Sequence, residues 1–536
     1  MGQQAEGRRG DLEFGTIPGM VRAAAAKYGD KKAIEDGDAG LTYAQLAEMV
    51  DAAARSLMTA GVRAGDRVAV WAPNCWEWVV AALGIHTAGA VMVPVNTRYK
   101  GAEADWLLRK SGAVALFTVS GFLGHDYVNM LREAGGEAGP AVGLIVVLRG
   151  EVPRDCNGWS SFLGWSSETS VEDAEARRAA IQPDDTCDIL FTSGTTGKPK
   201  GAAATHAQNL RAFRDWADVV GLESRDRYLV VAPFFHSFGY KAGFLAALMC
   251  GATVLPQPTF DVSAVLERIA PDRVSMLPGP PALYQTLLGR PDLADYDLSS
   301  LRLAVTGAAV IPVQLIERMR DELGFETVIT GYGLTESTGI VTMCRHDDAP
   351  ETIARTSGRA IPGVEVRIVG PDGGALPPET PGEVWVRGYN ITAGYFEDPE
   401  ATAAAITPEG WLKTGDVGVL DERGYIRITD RIKDMFIVGG FNAYPAEIES
   451  TLLDHPDVVH AAVVGAPDER LGEVGVAFVV LKEGAGLTAE ALIAWSRERM
   501  ANFKVPRSVF LEADLPRNAT GKVQKFVLRE RLAETA

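Results

Sequence analysis

Ten consecutive residues, 192–201, have the composition of a phosphate-binding loop. They read TSGTTGKPKG and directly follow residues 188–191, a largely apolar run that predicts a buried strand. Glycines allow backbone N–H groups to turn toward an anion, the hydroxyl groups add donors, and two lysines add positive charge. The spacing is not that of a Walker P-loop, in which four residues separate the glycine from Gly-Lys, because only two intervene here. The sequence therefore predicts that a polyphosphate binds this segment, with a solvated turn as the alternative.

A second segment, residues 330–336 (TGYGLTE), carries side chains suited to a nucleotide. The ring of Tyr332 can stack on a base, the hydroxyl of Thr335 can bind a phosphate oxygen, and the carboxylate of Glu336 can bind Mg²⁺. Taken alone, the segment is equally typical of a tight turn between glycines.

Two single residues add to these segments. Asp416 ends the sequence WLKTGD on a glycine turn, where a carboxylate can bind ribose hydroxyls, although an ordinary turn has the same composition. Lys522 stands in the Gly-containing run 515–522 near the C-terminus, and by itself it indicates only a surface lysine.

A scaffold of alternating strands and helices must position these segments. From residue 43 to about 148, and again after 188, short apolar runs alternate with helical patterns, which is typical of parallel sheets covered by helices on both faces. The pattern predicts strands 67–71, 91–95, 227–231, 273–277 and 301–306, a helix over 76–87, and a surface connection over 166–179. Pro94 places its strand at a sheet edge or at a strand end.

The pattern changes after residue 363. Residues 364–369 and 382–387 alternate apolar and polar side chains, which predicts an antiparallel, half-exposed sheet or small β-barrel. Four charges in residues 430–434 then mark a break, beyond which the pattern predicts a helix over 445–453, strands over 458–464 and 474–481, and a helix over 487–500. We therefore expect an α/β N-terminal domain over 1–430, with its β subdomain at about 361–430, and a small α+β C-terminal domain over 431–536.

Composition narrows the function classes. The 536 residues hold 52 Lys and Arg against 70 Asp and Glu, a net charge of −18 that disfavours nucleic acids and anionic membranes as partners. Five scattered cysteines indicate free thiols rather than disulfides or a zinc site. The first residues do not form a signal peptide, and no apolar run approaches the ~18 residues of a membrane span, so we expect a cytoplasmic protein.

In this order and at these separations, the segments resemble those of the ANL superfamily of adenylate-forming enzymes, which includes acyl-CoA synthetases, peptide-synthetase adenylation domains and luciferases. The resemblance extends from about residue 14 to the end of the sequence. It implies two half-reactions: a carboxylate attacks MgATP to give an acyl-adenylate and pyrophosphate, and a thiol then displaces AMP after the C-terminal domain has rotated. The implied cofactors and co-substrates are ATP, Mg²⁺ and coenzyme A.

The resemblance also assigns residues. ATP would contact Thr192, Ser193, Gly194, Thr195, Thr196, Gly197, Lys198, Gly307, Ala308, Ala309, Gly331, Tyr332, Gly333, Thr335, Asp416, Arg431 and Lys522. Catalysis would fall to Lys522, Thr335, Glu336 and His236, and Mg²⁺ would bind Glu336 and Thr192. The acyl pocket would include Phe235, His236, Tyr240 and Gly307. Gly439 and Gly440 would line the pantetheine tunnel, with a plain hairpin turn as the alternative. Lys433 would be the hinge, at a position where many relatives have Asp.

The segment 234–240 (FFHSFGY) indicates which class of carboxylic acid the enzyme would activate. Amino-acid-activating relatives place an Asp here against the substrate ammonium, and an unpaired buried ammonium would be costly, so the acid should lack an α-amino group. His236 would gate the pocket, with a hydrogen-bonded core histidine as the alternative. Residues 238–243, 277–281 and 306–309 resemble one subgroup of the superfamily, the actinobacterial CoA ligases acting on the methylhydrindane-dione propanoate left by steroid degradation.

Three alternatives remain open. Medium- and long-chain fatty acyl-CoA synthetases share most of these motifs. A free-standing adenylating enzyme could load a carrier protein in place of CoA, and a nucleotide sensor would use the fold without catalysis, although Glu336 and Lys522 argue against it. A monomer and a homodimer are equally compatible with the sequence.

Overall fold

The computed structural model describes residues 9–136, 141–192, 199–307, 311–431, 434–438, 441–468, 471–500, 502–517 and 523–535.

The first part of the N-terminal domain is an eight-stranded sheet flanked by helices. Its strands run in the order β10-β9-β4-β3-β5-β7-β8, with β6 on β5, and the pairs from β9 to β8 are parallel. The elements up to residue 220 are α1 Gly10–Phe14, α2 Ile17–Tyr28, β1 Lys32–Asp36, β2 Ala39–Thr42, α3 Tyr43–Thr59, β3 Arg67–Trp71, α4 Trp76–Thr87, β4 Val91–Pro94, α5 Gly101–Ser111, β5 Ala113–Phe122, β6 His125–Asp126, α6 Tyr127–Gly135, β7 Leu144–Arg149, β8 Asn157–Gly158, α7 Trp159–Gly164, α8 Val171–Ala180, β9 Thr186–Thr192, β10 Lys200–Thr205 and α9 His206–Val220.

Most predictions for this part are confirmed. Strand β3 and helix α4 have the predicted bounds, and Pro94 is the last residue of β4. The segment 166–179, predicted as a surface connection, lies mostly at the surface, but residues 171–180 form the helix α8, which the sequence analysis did not predict. Ser170 caps that helix through the N–H of Asp173, with acidic residues in its first turn and Arg177 and Arg178 in its last. These charges complement the helix dipole, so a mostly polar segment still forms a helix.

The second part of the N-terminal domain holds two more groups of strands. The orders are β11-β12-β1-β2 and β13-β14-β15-β16, and Met276 bridges Tyr228 to Leu303 between them. The elements are β11 Arg227–Val230, α10 Ser237–Gly239, a π-helical turn Tyr240–Leu245, α11 Ala246–Cys250, β12 Thr253–Pro256, α12 Val262–Ile269, α13 Pro281–Leu288, β13 Leu303–Thr306, α14 Val313–Asp321, β14 Thr327–Tyr332, β15 Thr342–Met343, α15 Pro350–Arg355 and β16 Arg359–Ala360.

The predicted strand over 273–277 does not form; of its residues, Met276 makes isolated β-bridges to Tyr228 and Leu303. Arg273 has a φ of 49°, a left-handed conformation that is incompatible with extended backbone, and Pro278 follows the segment at once. The predicted strands over 227–231 and 301–306 are present as β11 and β13.

The β subdomain is an antiparallel meander. Its elements are β17 Val364–Val369, β18 Gly382–Gly388, α16 Pro399–Ala405, β19 Leu412–Leu420 and β20 Ile426–Arg431, and the strands pair in sequence order. Within the described ranges no ladder joins β17 to β20, so the strands form the antiparallel sheet that the sequence predicted, in its open form.

The C-terminal part has a sheet of its own, in the order β22-β21-β24-β23 with β25 parallel to β24. Its elements are β21 Phe436–Val438, β22 Phe441–Ala443, α17 Pro445–Leu453, β23 Val458–Asp468, β24 Gly472–Leu481, α18 Ala489–Arg497, β25 Ser508–Leu511 and α19 Lys525–Thr535. All four elements predicted here are present. Among the described residues, none of the helices is long and apolar enough to cross a membrane.

Candidate active site

The carboxyl ends of β13 and β14 bring two predicted glycines together. Thr306 pairs with Thr330 in the parallel register, so that Gly307 and Gly331 follow side by side. A Cβ atom at Gly307 would lie 3.2 Å from the carbonyl oxygen of Gly331, and one at Gly333 would lie 2.3 Å from that of Gly339. The backbone at this edge is therefore packed too closely for a side chain at Gly333, whereas a side chain at Gly307 would need the Gly331 carbonyl to shift by a few tenths of an ångström.

The three residues predicted to bind the nucleoside lie on three strands, Tyr332 on β14, Asp416 on β19 and Arg431 on β20. Tyr332 Oη donates a hydrogen bond to Asp416 Oδ2 at 2.6 Å, and only 5% of Asp416 is exposed. On the adjoining strand Arg431 is the backbone partner of Asp416 across the β19–β20 ladder. The bond to Asp416 fixes the direction of the Tyr332 ring, so the aromatic platform and the carboxylate form one rigid unit.

The two ends of the predicted phosphate loop are held by a hairpin. Thr192 ends β9 and stands opposite Lys200 at the start of β10, with Thr192 Oγ1 donating to the Lys200 carbonyl at 3.4 Å. Between them, Ser193, Gly194, Thr195, Thr196, Gly197 and Lys198 lie outside the described residues.

Glu336 is tied to this hairpin by Tyr395, a residue that sequence reasoning missed. Tyr395 Oη donates to Glu336 Oε1 at 2.9 Å, and the ammonium of Lys200 lies 5.2 Å from the centre of the Tyr395 ring. Burial, followed by the charge of Glu336, raises the pKa of the Tyr395 hydroxyl, so it stays a donor. Gly394-Tyr395 repeats the glycine–tyrosine order of Gly331-Tyr332, which is the one signal that the sequence offers for it.

Thr335 and Glu336 open a short 3₁₀ turn, Thr335–Ser337, at the end of β14. The carbonyl of Glu336 accepts a hydrogen bond from the N–H of Thr392 at 2.8 Å, and the N–H of Phe396 donates to Gly201 at 2.7 Å. Segment 392–396 thus connects the Glu336 turn to β10. The structure thus brings the turn of Thr335 and Glu336 next to the β9–β10 hairpin that holds the ends of the predicted phosphate loop, although the two segments are far apart in the sequence.

The predicted acyl segment lies next to this turn. The Nδ1 atom of His236 accepts a hydrogen bond from the N–H of Phe238 at 3.2 Å, and desolvation lowers the pKa of His236 to about 4. His236 is therefore neutral at pH 7, and since Nδ1 accepts, its proton is on Nε2. A Cβ atom at Gly339 would lie 3.1 Å from Ser237 Cβ, which shows how closely the acyl segment packs on the chain after Glu336.

Phe235 and Tyr240 differ in exposure. Phe235 is partly exposed, whereas Tyr240 is completely buried and its hydroxyl lies 2.9 Å from His86 Nε2. The structure thus places Tyr240 in the core behind the segment. The remaining predicted site residues, Ala308, Ala309, Lys433, Gly439, Gly440 and Lys522, lie outside the described residues.

The donor set around Glu336 fits Mg²⁺. No group of three or more His, Cys, Asp or Glu side chains suited to a metal occurs in the described part of the chain. Mg²⁺ commonly binds through one or two carboxylates together with substrate phosphates and water, and it needs no protein cage. One oriented carboxylate beside a phosphate-loop hairpin meets that requirement.

Family models match both parts of the chain. Residues 21–396 match the AMP-binding enzyme family, and residues 447–522 match the AMP-binding enzyme C-terminal domain. The chain belongs to the AMP-binding enzyme family.

Individual relatives cover nearly the whole chain. A 7a-methyl-1,5-dioxo-octahydro-1H-inden-4-yl propanoyl:CoA ligase of Rhodococcus jostii (strain RHA1) is 49% identical over 96% of this chain and 98% of the relative. The ligase of the same name from Mycobacterium tuberculosis (strain ATCC 25618 / H37Rv) is 48% identical over 96% and 98%. Among solved structures, the anthranilate CoA ligase AuaEII in complex with anthranoyl-AMP superposes with a TM-score of 0.87 at 30% identity, covering 97% of this chain and 98% of that one. The protein is an AMP-forming acyl-CoA synthetase, an acid–thiol ligase that uses ATP and CoA.

Proposed function

We propose that this enzyme activates a methylhydrindane-dione propanoate and transfers it to CoA. The observation that carries this proposal is the sequence identity of 49% and 48% to two ligases named for that acyl group. Each match extends over almost the full length of this chain and of the relative. The assembled Tyr332–Asp416 unit and the Glu336–Tyr395 unit are the parts that the first half-reaction needs.

In the first half-reaction, a carboxylate oxygen of the acid attacks the α-phosphorus of ATP. A new P–O bond forms, the bond from that phosphorus to the bridging oxygen breaks, and pyrophosphate leaves with the electron pair. In our proposal Tyr332 stacks on adenine, Asp416 and Arg431 hold the ribose hydroxyls, and Thr335 binds the α-phosphate. Most of the acceleration then comes from positioning and charge neutralisation.

Lys522 is proposed to supply the positive charge nearest the reacting atoms, and residues 192–198 to hold the β- and γ-phosphates. Glu336, oriented by Tyr395, would hold Mg²⁺ together with Thr192. When bound, the ion would neutralise negative charge on the phosphate groups of ATP.

In the second half-reaction, the sulfur of CoA attacks the acyl carbon, the C–O bond to AMP breaks, and AMP leaves. We propose that the C-terminal domain, residues 431–536, rotates about Lys433 between the two half-reactions. Gly439 and Gly440 would then line the pantetheine tunnel, and neutral His236 would gate the acyl pocket.

The charges around the acyl segment favour an acid without an amino group. A buried carboxylate beside this segment, Asp188, is paired with Lys241 Nζ at 3.0 Å and both side chains are almost fully buried. That carboxylate is already neutralised and does not offer a partner for a substrate ammonium.

We also propose a cytoplasmic location, where ATP and CoA are supplied, and a monomer or homodimer. Sedimentation of the purified enzyme decides between these two oligomeric states.

A panel of acids, assayed for AMP release with and without CoA, tests the proposal. The panel contains the methylhydrindane-dione propanoate and straight-chain acids from hexanoate to palmitate. A fused-ring acid loses little conformational entropy on binding, whereas a long chain must freeze many torsions. We expect the highest kcat/KM for the bicyclic acid, with AMP release stimulated by CoA. A tenfold preference for palmitate would instead make the enzyme a general fatty acyl-CoA synthetase, and turnover that needs a carrier protein in place of CoA would contradict the acceptor.

A further inference from the structure

A buried polar cluster lies directly behind the candidate site. We call it the Asp188 cluster; it consists of Asp188, Asn209, Tyr240, Lys241 and His86. Lys241 Nζ lies 3.0 Å from Asp188 Oδ1, and Asn209 Nδ2 donates to Asp188 Oδ2 at 2.7 Å. The side chains of Lys241 and Asp188 are 1% and 0% exposed.

The cluster extends from the ion pair to a histidine. Tyr240 is adjacent to Lys241 in the sequence, and its hydroxyl lies 2.9 Å from His86 Nε2. Burial and the nearby charge of Asp188 both raise the pKa of the Tyr240 hydroxyl. Burial likewise lowers the pKa of His86, with further lowering by the charges of His206 and Lys241. The Tyr240 hydroxyl and the His86 imidazole next to the Asp188–Lys241 pair are therefore neutral at pH 7.

Stability does not account for such a pair. Removing two charges from water costs several kcal/mol per ion, and replacing a buried ion pair by apolar side chains of similar volume is often neutral or stabilising. A fully buried pair is thus better explained by what it holds in place.

The pair connects the two substrate-binding segments. Asp188 lies on β9 four residues before Thr192, and since side chains alternate along a strand, both are on the same face. Lys241 lies in the π-helical turn Tyr240–Leu245, which begins where the N–H of Tyr240 donates to the carbonyl of His236 at 2.9 Å. One end of the pair is therefore on the strand leading into the phosphate loop, and the other is on the turn continuing the acyl segment.

We propose that Asp188 and Lys241 are positioning residues that hold the acyl segment, residues 235–240, in register with the strand that delivers the phosphate loop. The proposal rests on the function proposed above. Loss of the pair should displace the acid from in-line attack on ATP. It should raise the KM for the acid and lower kcat for adenylation, while the folded state persists.

The test removes both charges and keeps the volume, in the double variant Asp188→Asn/Lys241→Met. The matched control is Asp226→Asn/Arg302→Met, because Arg302 and Asp226 form a similar pair, 2.5 Å apart and 16% and 1% exposed, at the amino ends of β13 and β11. The measurements are Tm, and kcat and KM for the acid in the pyrophosphate-release assay. We expect the Asp188 double variant to lose at least about tenfold in kcat/KM at a Tm close to that of wild type, and the control to keep its kinetics. Wild-type kinetics in the Asp188 double variant, or the same kinetic loss in the control, would overturn the proposal.

Asn209→Ala is the second variant, for the case in which the double variant does not fold. It keeps both charges and removes the amide that donates to Asp188 Oδ2 and to Cys187 Sγ, so a smaller rise in the KM for the acid is expected. An unchanged KM would contradict the positioning role. All variants are assayed with the acid that wild type turns over best. A different preferred acid would thus count against the proposed substrate and still leave the positioning test intact.

Discussion

The N-terminal body and the C-terminal part differ in how their hydrophobic cores are built. A single continuous core runs through the N-terminal body from Ile17 to Ile426 and joins all of its sheets. The C-terminal part has two small clusters of its own, one containing Phe436 and Leu452 and one containing Phe478 and Leu528. The charged residues 430–434 separate the two systems.

This difference assigns different tasks to the two parts. A large joined core resists displacement, so the N-terminal body can hold Tyr332, Asp416 and Glu336 at fixed separations. A part with its own core can move as a unit without exposing the core of its neighbour. The N-terminal body would bind the substrates. The C-terminal part would place Lys522 at the site for the first half-reaction and Gly439 and Gly440 for the second. The predictions below separate the two tasks.

The largest effect should follow from Lys522→Ala in the small part. We expect adenylation to fall by at least about 100-fold, since a charge aimed at the developing phosphate is worth roughly 3 kcal/mol. Thioester formation from presynthesised acyl-adenylate should change little, because that step would occur with Lys522 rotated away. Lys504→Ala, which removes a lysine paired with Glu447 in the same part, is the control and should leave both rates intact. Equal losses in both half-reactions of Lys522→Ala would contradict the division of tasks.

Lys433→Pro should have the converse effect. Proline fixes φ near −65° and removes the torsional freedom that a hinge requires. Rapid-quench measurements should show acyl-adenylate formed at a near-normal rate and a thioester rate reduced by more than about tenfold. Lys433→Ala removes the side chain without restricting φ and should behave like wild type. Normal acyl-CoA synthesis by a folded Lys433→Pro enzyme would move the hinge elsewhere.

Within the fixed part, Gly307→Leu should change the choice of acid. Because even a Cβ at this position would lie 3.2 Å from Gly331, a larger side chain must extend into the space beside the nucleotide site. We expect kcat/KM for the bicyclic acid to fall about tenfold further than that for butyrate, which needs less volume. Ala308→Trp should act in the same direction. Equal losses for both acids would show that Gly307 does not border the acyl pocket.

The smallest effect concerns the pH dependence of stability. Asp215 accepts a hydrogen bond from Tyr389 Oη at 2.7 Å, and burial raises the pKa of its carboxyl from 3.8 to about 6. A raised pKa in the folded state means that the native protein binds this proton more tightly than the unfolded chain does, so the contribution of Asp215 to stability is fully present below about pH 4 and is lost as the pH rises through about 6. Asp215→Asn should therefore stabilise the protein by about 1–3 kcal/mol at pH 7.5 and by less, at most about 1 kcal/mol, at pH 4.5. Urea unfolding at the two pH values measures this, and the same gain at both would refute the assignment.

Local patterns predicted most of the scaffold. Strand β3, helix α4 and helix α17 follow from periodicity and flanking residues, and all three have the predicted bounds. The strand over 273–277 failed because the left-handed backbone of Arg273 depends on packing that an apolar run does not reveal. Helix α8 was missed because its capping and charge pattern was read only as polarity.

The residues of the candidate site also differ in whether the sequence could predict them. Tyr332, Asp416 and Glu336 were accessible because glycines and functional side chains stand together in the sequence. Tyr395 was missed although Gly394 precedes it, because a single Gly-Tyr pair does not reveal a contact with Glu336, 59 residues earlier in the sequence. The Asp188–Lys241 pair was equally hidden, because an aspartate in an apolar strand reveals nothing about a lysine 53 residues later. The roles of Lys522, Lys433 and residues 193–198 remain predictions from the sequence.

The central claim is that one active site performs two separable reactions, and a single-turnover experiment tests it most directly. Wild-type enzyme in excess over the bicyclic acid is mixed with ATP, CoA is added after the first phase is complete, and samples are quenched at intervals before and after that addition. The account predicts that acyl-adenylate and pyrophosphate accumulate in equal amounts before CoA is added, and that acyl-CoA and AMP replace the adenylate afterwards. Release of ADP and phosphate, or the absence of any acyl-adenylate before CoA, would contradict it.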